Sequence, residues 1–334
     1  MFKLHKFRKE RQRASSPEIM QADRPMESGG VENPGAKSND GQRVQEEGAF
    51  VRRFDGDAVK VIYNRARASL ARKGRLRAVV AEELDPRLRA SGSWYDEVRD
   101  HGVCAIPDFL SPEQCGLLRD EVGRLFDDYM PAIQVISNGA DRRIFGAENG
   151  SAAIREYAES VALDSICQLW LGPGSSLFCV MVNQLNALPG NCGSGGQGWH
   201  RDSLTSQIKT ITYLNDVGRK NGPYEYIRGS HRTGAFLRDT RNAGVPMGSI
   251  KFRDENVKRM LEEEPDRLMT FEAKAGTLII ADTTGIHRGA SIEEGVRCAL
   301  TTYTFPRTRK RRASQAMLNH YKPILGVHVP ARVC

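Results

Sequence analysis

Three residues of metal-ligating type, His200, Asp202 and His287, stand out in this 334-residue chain because of where the sequence delivers them. His200 and Asp202 are one residue apart in GQGWHRDS, at what reads as the start of a strand. Strand side chains alternate faces, so the imidazole and the carboxylate should point the same way and grip one ion. His287 comes at the mouth of a turn after the apolar run LIIAD. Two histidines and one carboxylate occupy one face of an octahedral ion and leave three positions open, the arrangement of non-haem Fe(II) oxygenases, whereas zinc is more often held tetrahedrally. A bare HxD pair arises by chance in many chains, and a surface turn with an incidental carboxylate is its plain alternative.

Arg297 adds to the set. Residues Val296 to Thr304 alternate so that Arg297 shares a face with Ala299, Thr301 and Tyr303, which aims a guanidinium into a sheet interior. A buried arginine is costly unless it meets an anion, and its rigid fork matches a carboxylate; an internal ion pair with a protein carboxylate is the competing reading. His101 and His231 compete with His287 as third ligand, and His231, in a glycine-rich turn beside Arg232, could instead cap a strand or touch substrate. His287 is favoured because its strand leads within ten residues to the arginine strand, an expected antiparallel hairpin. His5, His320 and His328 fall in expected tails. The non-metal alternative is nucleophilic Cys192, eight residues before His200, with no visible partner to lower its pKa.

The elements that must position these residues follow from patterning. Helical stripes run from Asp57 to about Ala90 (Val59, Ile62, Tyr63, Ala66, Leu70, then Leu76, Val79, Val80), broken at Pro86. HGVCAIPDF (His101 to Phe109) reads as a strand, and Ser111, Pro112 and Gln114 form a capping box for a helix with Leu117, Leu118, Val122, Leu125 and Phe126 on one face. Residues 131 to 155 are weakly patterned. Leu177 to Leu185, Ile208 to Leu214, YEYI, Leu268 to Phe271, Gly276 to Ile280 and Val296 to Thr304 supply strands joined by Gly and Pro turns. That pattern predicts a mostly β fold, a double-sheet jelly roll with flanking helices. The charged excursion 232 to 266, helical around VKRMLEEE, either covers a site or ornaments the surface. The glycine-rich PGNCGSGGQG is either a flexible loop or a substrate contact.

Composition bounds the rest. With 40% hydrophobic residues the chain can bury a core, expected as a domain over 96–306 preceded by a disordered leader (1–50) and a helical extension (51–95) and followed by a basic tail (307–334). The net charge of +8 is local: residues 3–13 and 307–312 each carry +5, leaving the remainder at −2. A nearly neutral body argues against nucleic acid as partner, because such footprints concentrate on a folded face. Seven cysteines form no CxxC pair or regular framework, and no run is apolar enough for a signal peptide or membrane span. A reducing cytoplasm is the expected location. No pattern specifies an oligomeric state.

Taken together, GVCAIPDFLSPEQ, WHRDS, QIKTITYLNDVGRKNGPYEYIRGSH and IHRGASIEEGVRCALTTYTF resemble the phytanoyl-CoA dioxygenase family of Fe(II)- and 2-oxoglutarate-dependent oxygenases. The resemblance implies a double-stranded β-helix, His200, Asp202 and His287 as iron ligands, and Arg297 as partner of the distal carboxylate of 2-oxoglutarate. Gln207 or Lys209 would help hold that cosubstrate, with strand parity leaving open which of them faces inward. Halogenating relatives lack the metal-binding Asp; Asp202 is present, so hydroxylation of a small-molecule substrate is the expected reaction, coupled to decarboxylation of 2-oxoglutarate to succinate and CO2. A metal-dependent isomerase and a non-catalytic small-molecule-binding protein of the same fold are the alternatives.

Overall fold

Twelve strands in two antiparallel sheets dominate the computed structural model, which describes residues 62–68, 85–90, 94–136, 139–188, 198–306 and 324. The strands are β1 (Val103–Ile106), β2 (Gln134–Ile136), β3 (Asp141–Phe145), β4 (Ser176–Asn186), β5 (Trp199–His200), β6 (Ile208–Tyr213), β7 (Tyr224–Ile227), β8 (Lys251–Phe252), β9 (Leu268–Phe271), β10 (Leu278–Asp282), β11 (His287–Gly289) and β12 (Val296–Phe305). One sheet has the order β1-β10-β6-β12-β4-β3-β2 and the other β8-β5-β11-β7-β9. Consecutive strands repeatedly switch sheets, which makes this a double-stranded β-helix, or jelly roll, of the expected mostly β class with flanking helices.

The core is layered. Between the sheets, Val103, Ile211, Tyr213, Ile279 and Ala299 of the large sheet pack on Tyr224, Tyr226 and Phe271 of the small one. The far face of the large sheet, with Val180, Val182, Leu278, Ile280 and Leu300, is roofed by Leu118, Val122, Leu125, Ile154, Ile166 and Trp170 from helices. β6 and β10 are therefore buried at every position, and apart from Lys209 and Asp282 their residues are apolar, aromatic or threonine instead of alternating with exposed charged residues.

The helix Pro112–Asp128 starts as expected: Gln114 N donates to Ser111 Oγ (3.2 Å) and Ser111 N to Gln114 Oε1 (2.9 Å). Leu117 is not on its buried face; it is 56% exposed, one position off the stripe that Cys115, Leu118, Val122 and Leu125 form. His101 ends the helix Trp94–His101 instead of opening a strand, and Gly102 (φ +92°) makes the turn into β1, where a Cβ would strike the Tyr226 hydroxyl. The weakly patterned stretch holds β2, β3 and the helix Ala152–Ala158. Of the expected N-terminal extension, residues 62–68 and Pro86–Ala90 are helical.

The excursion 232–266 covers the outer face of the small sheet and supplies no residue to the pocket that His200, Asp202 and His287 line. Besides the expected helix Asp254–Leu261 it forms the helix Thr233–Ala243 and strand β8, which pairs with β5. Phe252, Val257, Met260 and Val245 bury Trp199, Ile227 and Ile286 on the outer face of the small sheet. Cys104, Cys115, Cys167, Cys179 and Cys298 are buried free thiols. The leader, both basic clusters, the glycine-rich loop with Cys192, and the tail apart from Ile324 lie outside the described residues. Among the described residues no helix is long and apolar enough to cross a membrane.

Candidate active site

His200 and His287 are brought together by strand register, since they sit directly opposite each other on β5 and β11. Residues opposed in an antiparallel pair keep their Cβ atoms about 5 Å apart, and the two imidazole centroids are 4.4 Å apart. β5 ends at His200, so Asp202 is not on the strand whose alternation was expected to align it. A loop aligns it instead, with its amide donating to Thr283 O at 2.9 Å. The result is the convergence anticipated from spacing: Asp202 Oδ1 is 3.6 Å from His200 Nε2, Oδ2 is 3.7 Å from His287 Nε2, and one ligand atom from each residue lies within 4.8 Å of the others.

Both rings are oriented the same way. His200 Nδ1 lies 2.9 Å from Gly198 O and His287 Nδ1 lies 3.0 Å from Gly285 O. A carbonyl can only accept, so each Nδ1 carries a hydrogen, which turns Nε2 of both rings toward Asp202 as the nitrogen available to a metal. Burial, reinforced by neighbouring His200, pushes His287 down to about 3, so this imidazole is neutral, as a metal ligand must be. Burial, the largest single influence, would raise the Asp202 carboxyl, but the Lys209 ammonium together with His200 and His287 outweighs it and holds the group well below the usual carboxylate range.

Lys209 faces inward, a direction that strand parity left open for both it and Gln207. Its Nζ is 2.8 Å from Asp202 Oδ2 and 4.0 Å above the centre of the Tyr303 ring. Burial would lower this lysine, yet Asp202 and Tyr303 together raise it above its ordinary value. Gln207 is buried but does not line the pocket that Lys209 enters.

That pocket, about 140 Å³, runs between the sheets from the His200, Asp202 and His287 cluster to Arg297. Arg297, Ala299, Thr301 and Tyr303 all line it, as the alternation of β12 requires. Among the described residues the arginine meets no carboxylate: its guanidinium donates to Gly222 O and, at 3.2 Å, to Asn183 Oδ1. The internal ion pair weighed against an anion-binding role is therefore not formed. Burial pulls this guanidinium below its ordinary pKa. The expected hairpin is absent, because β11 and β12 lie in different sheets. Their ends nonetheless meet across the sandwich: a Cβ built on Gly289 would stand 3.1 Å from Arg297 Nη1.

His231 and His101 take no part in the cluster. His231 Nε2 lies 2.9 Å from Arg99 O, and its ring faces a different cavity. Sequence reasoning missed Asn183, whose signal is the amide pair Asn183 and Gln184 interrupting the apolar run LFCVMVNQL, and Arg143 on β3, from a stretch with no usable pattern. These two are linked, since Asp141 holds Arg143 at 2.9 and 2.6 Å and accepts from Asn183 Nδ2 at 2.6 Å.

Two imidazole nitrogens and a carboxylate oxygen with this spacing suit a divalent transition-metal ion. A buried polar atom of a pocket residue, Tyr224 Oη, has no hydrogen-bond partner among the described residues, as expected where a bound group completes a site. A jelly roll with two histidines and one carboxylate at one end of its inter-sheet pocket, and a buried arginine at the other, defines the class. Residues 98–293 match the phytanoyl-CoA dioxygenase (PhyH) family, and the chain belongs to that family of iron- and 2-oxoglutarate-dependent enzymes. No curated protein sequence matches the chain.

Solved structures with a similar fold include the epimerase SnoN in complex with Fe3+, alpha-ketoglutarate and nogalamycin RO (TM-score 0.51, 17% identity, covering 67% of this chain and 86% of SnoN). EctD from S. alaskensis with 2-oxoglutarate and 5-hydroxyectoine has TM-score 0.51 and 17% identity over 68% of this chain and 77% of its own. The carbocyclase SnoK from nogalamycin biosynthesis has TM-score 0.50 and 16% identity over 68% of this chain and 85% of its own. At these identities the likeness is one of fold.

Proposed function

We propose that the protein is an Fe(II)- and 2-oxoglutarate-dependent dioxygenase that hydroxylates a small organic molecule. His200, Asp202 and His287 hold the iron, and Arg297 receives the 5-carboxylate of 2-oxoglutarate. The observation that carries this reading is the pairing within one pocket of a two-histidine, one-carboxylate cluster with a buried arginine that has no carboxylate of its own. When bound, iron and 2-oxoglutarate supply the oxidising chemistry, as decarboxylation to succinate and CO2 provides the electrons that activate O2.

The chain's own residues bind, orient and insulate. Gly198 O and Gly285 O hold the imidazoles in the tautomer that leaves Nε2 free for the metal. Asn183 Oδ1 and Gly222 O fix the plane of the Arg297 fork, so a carboxylate meets pre-positioned donors. Lys209 offsets the Asp202 charge within a buried site, which is why this lysine is assigned to the metal end instead of the distal carboxylate. Ile211 and Ala299 line the pocket with Arg297 and help keep bulk water from the reacting groups.

The test is succinate formation by purified protein with Fe(II), ascorbate and 2-oxoglutarate, in the presence of a metabolite extract, with oxygen uptake followed in parallel. Asp202→Ala should abolish both signals, and untargeted comparison of the extract before and after reaction should reveal a product heavier by one oxygen atom. Product formed without oxygen uptake would instead identify an isomerase that uses the ion as a Lewis acid. Undiminished turnover by Asp202→Ala would remove Asp202 from the ligand set.

A further inference from the structure

Two arginines line the catalytic pocket, and they are held by opposite kinds of partner. Arg143 faces a carboxylate: Asp141 Oδ1 accepts from its Nε at 2.9 Å and Oδ2 from its Nη2 at 2.6 Å. Arg297 faces neutral oxygens, Gly222 O and Asn183 Oδ1. A dicarboxylate entering this pocket could dock on either fork, so the fold must contain a group that decides between them.

Asp141 is placed to be that group. Across the large sheet, Leu185 of β4 is opposite Asp141 of β3 on one side and Arg297 of β12 on the other. Asn183, two residues along β4, is opposite Arg143 and Ala299. Asp141 and Arg297 thus share one row of the inner face, with Arg143 and Asn183 in the next, so the four side chains form a single patch. Asp141 is 0% exposed, and no bulk water competes for its carboxylate.

The link between the two arginines runs through the Asn183 amide. Asp141 Oδ1 also accepts from Asn183 Nδ2 at 2.6 Å. A carboxamide has one donating and one accepting end. With its NH2 given to Asp141, Asn183 must turn its oxygen the other way, where Arg297 Nη2 donates to it at 3.2 Å. The flipped amide would set oxygen against carboxylate and NH2 against guanidinium, losing both contacts. The carboxylate therefore fixes the amide, and the amide fixes one edge of the Arg297 fork. Burial is the largest influence on Arg297 and lowers it, while Tyr213 and then Asp141 act in the opposite sense.

We propose that Asp141 is a positioning residue of the cosubstrate site: it aligns the Arg297 fork through Asn183 and itself occupies the Nε and Nη2 edge of Arg143, which makes Arg297 the arginine that receives a carboxylate. This rests on the reading of the pocket as a 2-oxoglutarate site and adds the group that selects the anchor. The relay ends at the arginine, so its loss falls on cosubstrate affinity and spares the metal cluster.

The experiment is a double-mutant cycle on the full chain, read by anaerobic titration of the Fe(II)-loaded protein with 2-oxoglutarate through the visible band of cosubstrate chelation, with Fe(II) affinity measured alongside. Asp141→Asn should raise the 2-oxoglutarate midpoint about tenfold, the loss expected for a charged hydrogen-bond partner. The band at saturation should be unshifted and Fe(II) affinity near wild type, a split that a general loosening of the fold would not give. Asn183→Ala should raise the midpoint similarly, and the double variant should do no worse than the larger single effect, because one relay is broken either way. If an unpaired Arg143 keeps Asp141→Asn from folding, the same cycle in an Arg143→Gln background removes that charge and carries the test. A wild-type midpoint in Asp141→Asn, losses that multiply in the double variant, or an equal loss of Fe(II) affinity would overturn the proposal alone. No band in the wild-type protein would overturn the reading of the pocket and the proposal with it.

Discussion

The two ends of the catalytic pocket are built differently. At the metal end, His200 and His287 lie on the two-residue β5 and three-residue β11 of the small sheet, and they meet because those strands place them opposite each other. At the far end, Arg297 lies on the ten-residue β12 of the large sheet, paired on both sides, and reaches the pocket by alternation along a long strand. The metal end thus depends on a register between short pieces that loops must deliver. The arginine end depends on a strand that could hardly be elsewhere. Short strands tolerate rearrangement and long central ones do not, so damage at the metal end should be local and damage at the arginine end should be confined to cosubstrate recognition.

The strongest way to break this contrast is at the metal end. Asp202→Ala or His287→Ala should remove high-affinity Fe(II) binding and lower turnover by about a thousandfold or more, the scale on which a group essential to the chemistry acts. Metal titration and succinate yield check it. Thermal unfolding of metal-free His287→Ala should change far less, because this imidazole is not what holds the sandwich together, whereas Asp202→Ala should also destabilise the fold by leaving the buried Lys209 unpaired.

Next comes the arginine. Arg297→Met should raise the KM for 2-oxoglutarate about 10- to 100-fold, from the loss of charged hydrogen bonds worth about 1.5–3 kcal/mol, while leaving Fe(II) affinity near wild type. Equal loss of both affinities would show that the ends are not separable.

Lys209 sharpens the comparison, because it places a cation against the carboxylate that a metal ion would also use. Lys209→Met should therefore tighten divalent metal binding, by up to about tenfold for one screened charge at this distance, measured by competition with a chelating dye. Weaker metal binding would mean that the lysine chiefly holds Asp202 in place.

The smallest effect is expected at Gly289. Its absent side chain leaves room for Arg297, since a Cβ there would sit 3.1 Å and 3.2 Å from the two terminal nitrogens. Gly289→Ala should displace the fork by a few tenths of an ångström and raise the 2-oxoglutarate KM a few-fold, a cost of about 1 kcal/mol or less for a tolerated contact.

Much of the site was legible because its chemistry is written in residue types with short-range spacing. The inward face of β12 was readable from alternation alone, and the His200, Asp202 and His287 set from residue types and their place near apolar runs, although neither the alternation expected to align Asp202 nor the hairpin used to favour His287 is formed. What was not legible depends on pairing across the fold. The link between β11 and β12 is only six residues long, which reads as a hairpin, yet it crosses from one sheet to the other. Arg143 and Asn183 reach the pocket because β3 pairs with β4, a register that no local pattern announces. The cover formed by residues 232–266 was undecidable for a similar reason. Its helices are charged on one side, and the apolar partners Trp199, Ile227 and Ile286 come from three separate places in the chain.

The most direct measurement is an anaerobic titration of the purified protein with Fe(II) and 2-oxoglutarate, following the visible charge-transfer absorption that chelation of the cosubstrate to ferrous iron produces. Wild type should develop the band at one equivalent, His287→Ala should not, and Arg297→Met should develop it only at higher 2-oxoglutarate. A wild-type band in His287→Ala, at unchanged affinity, would contradict the assignment of His287 to the metal centre and with it the account of the pocket.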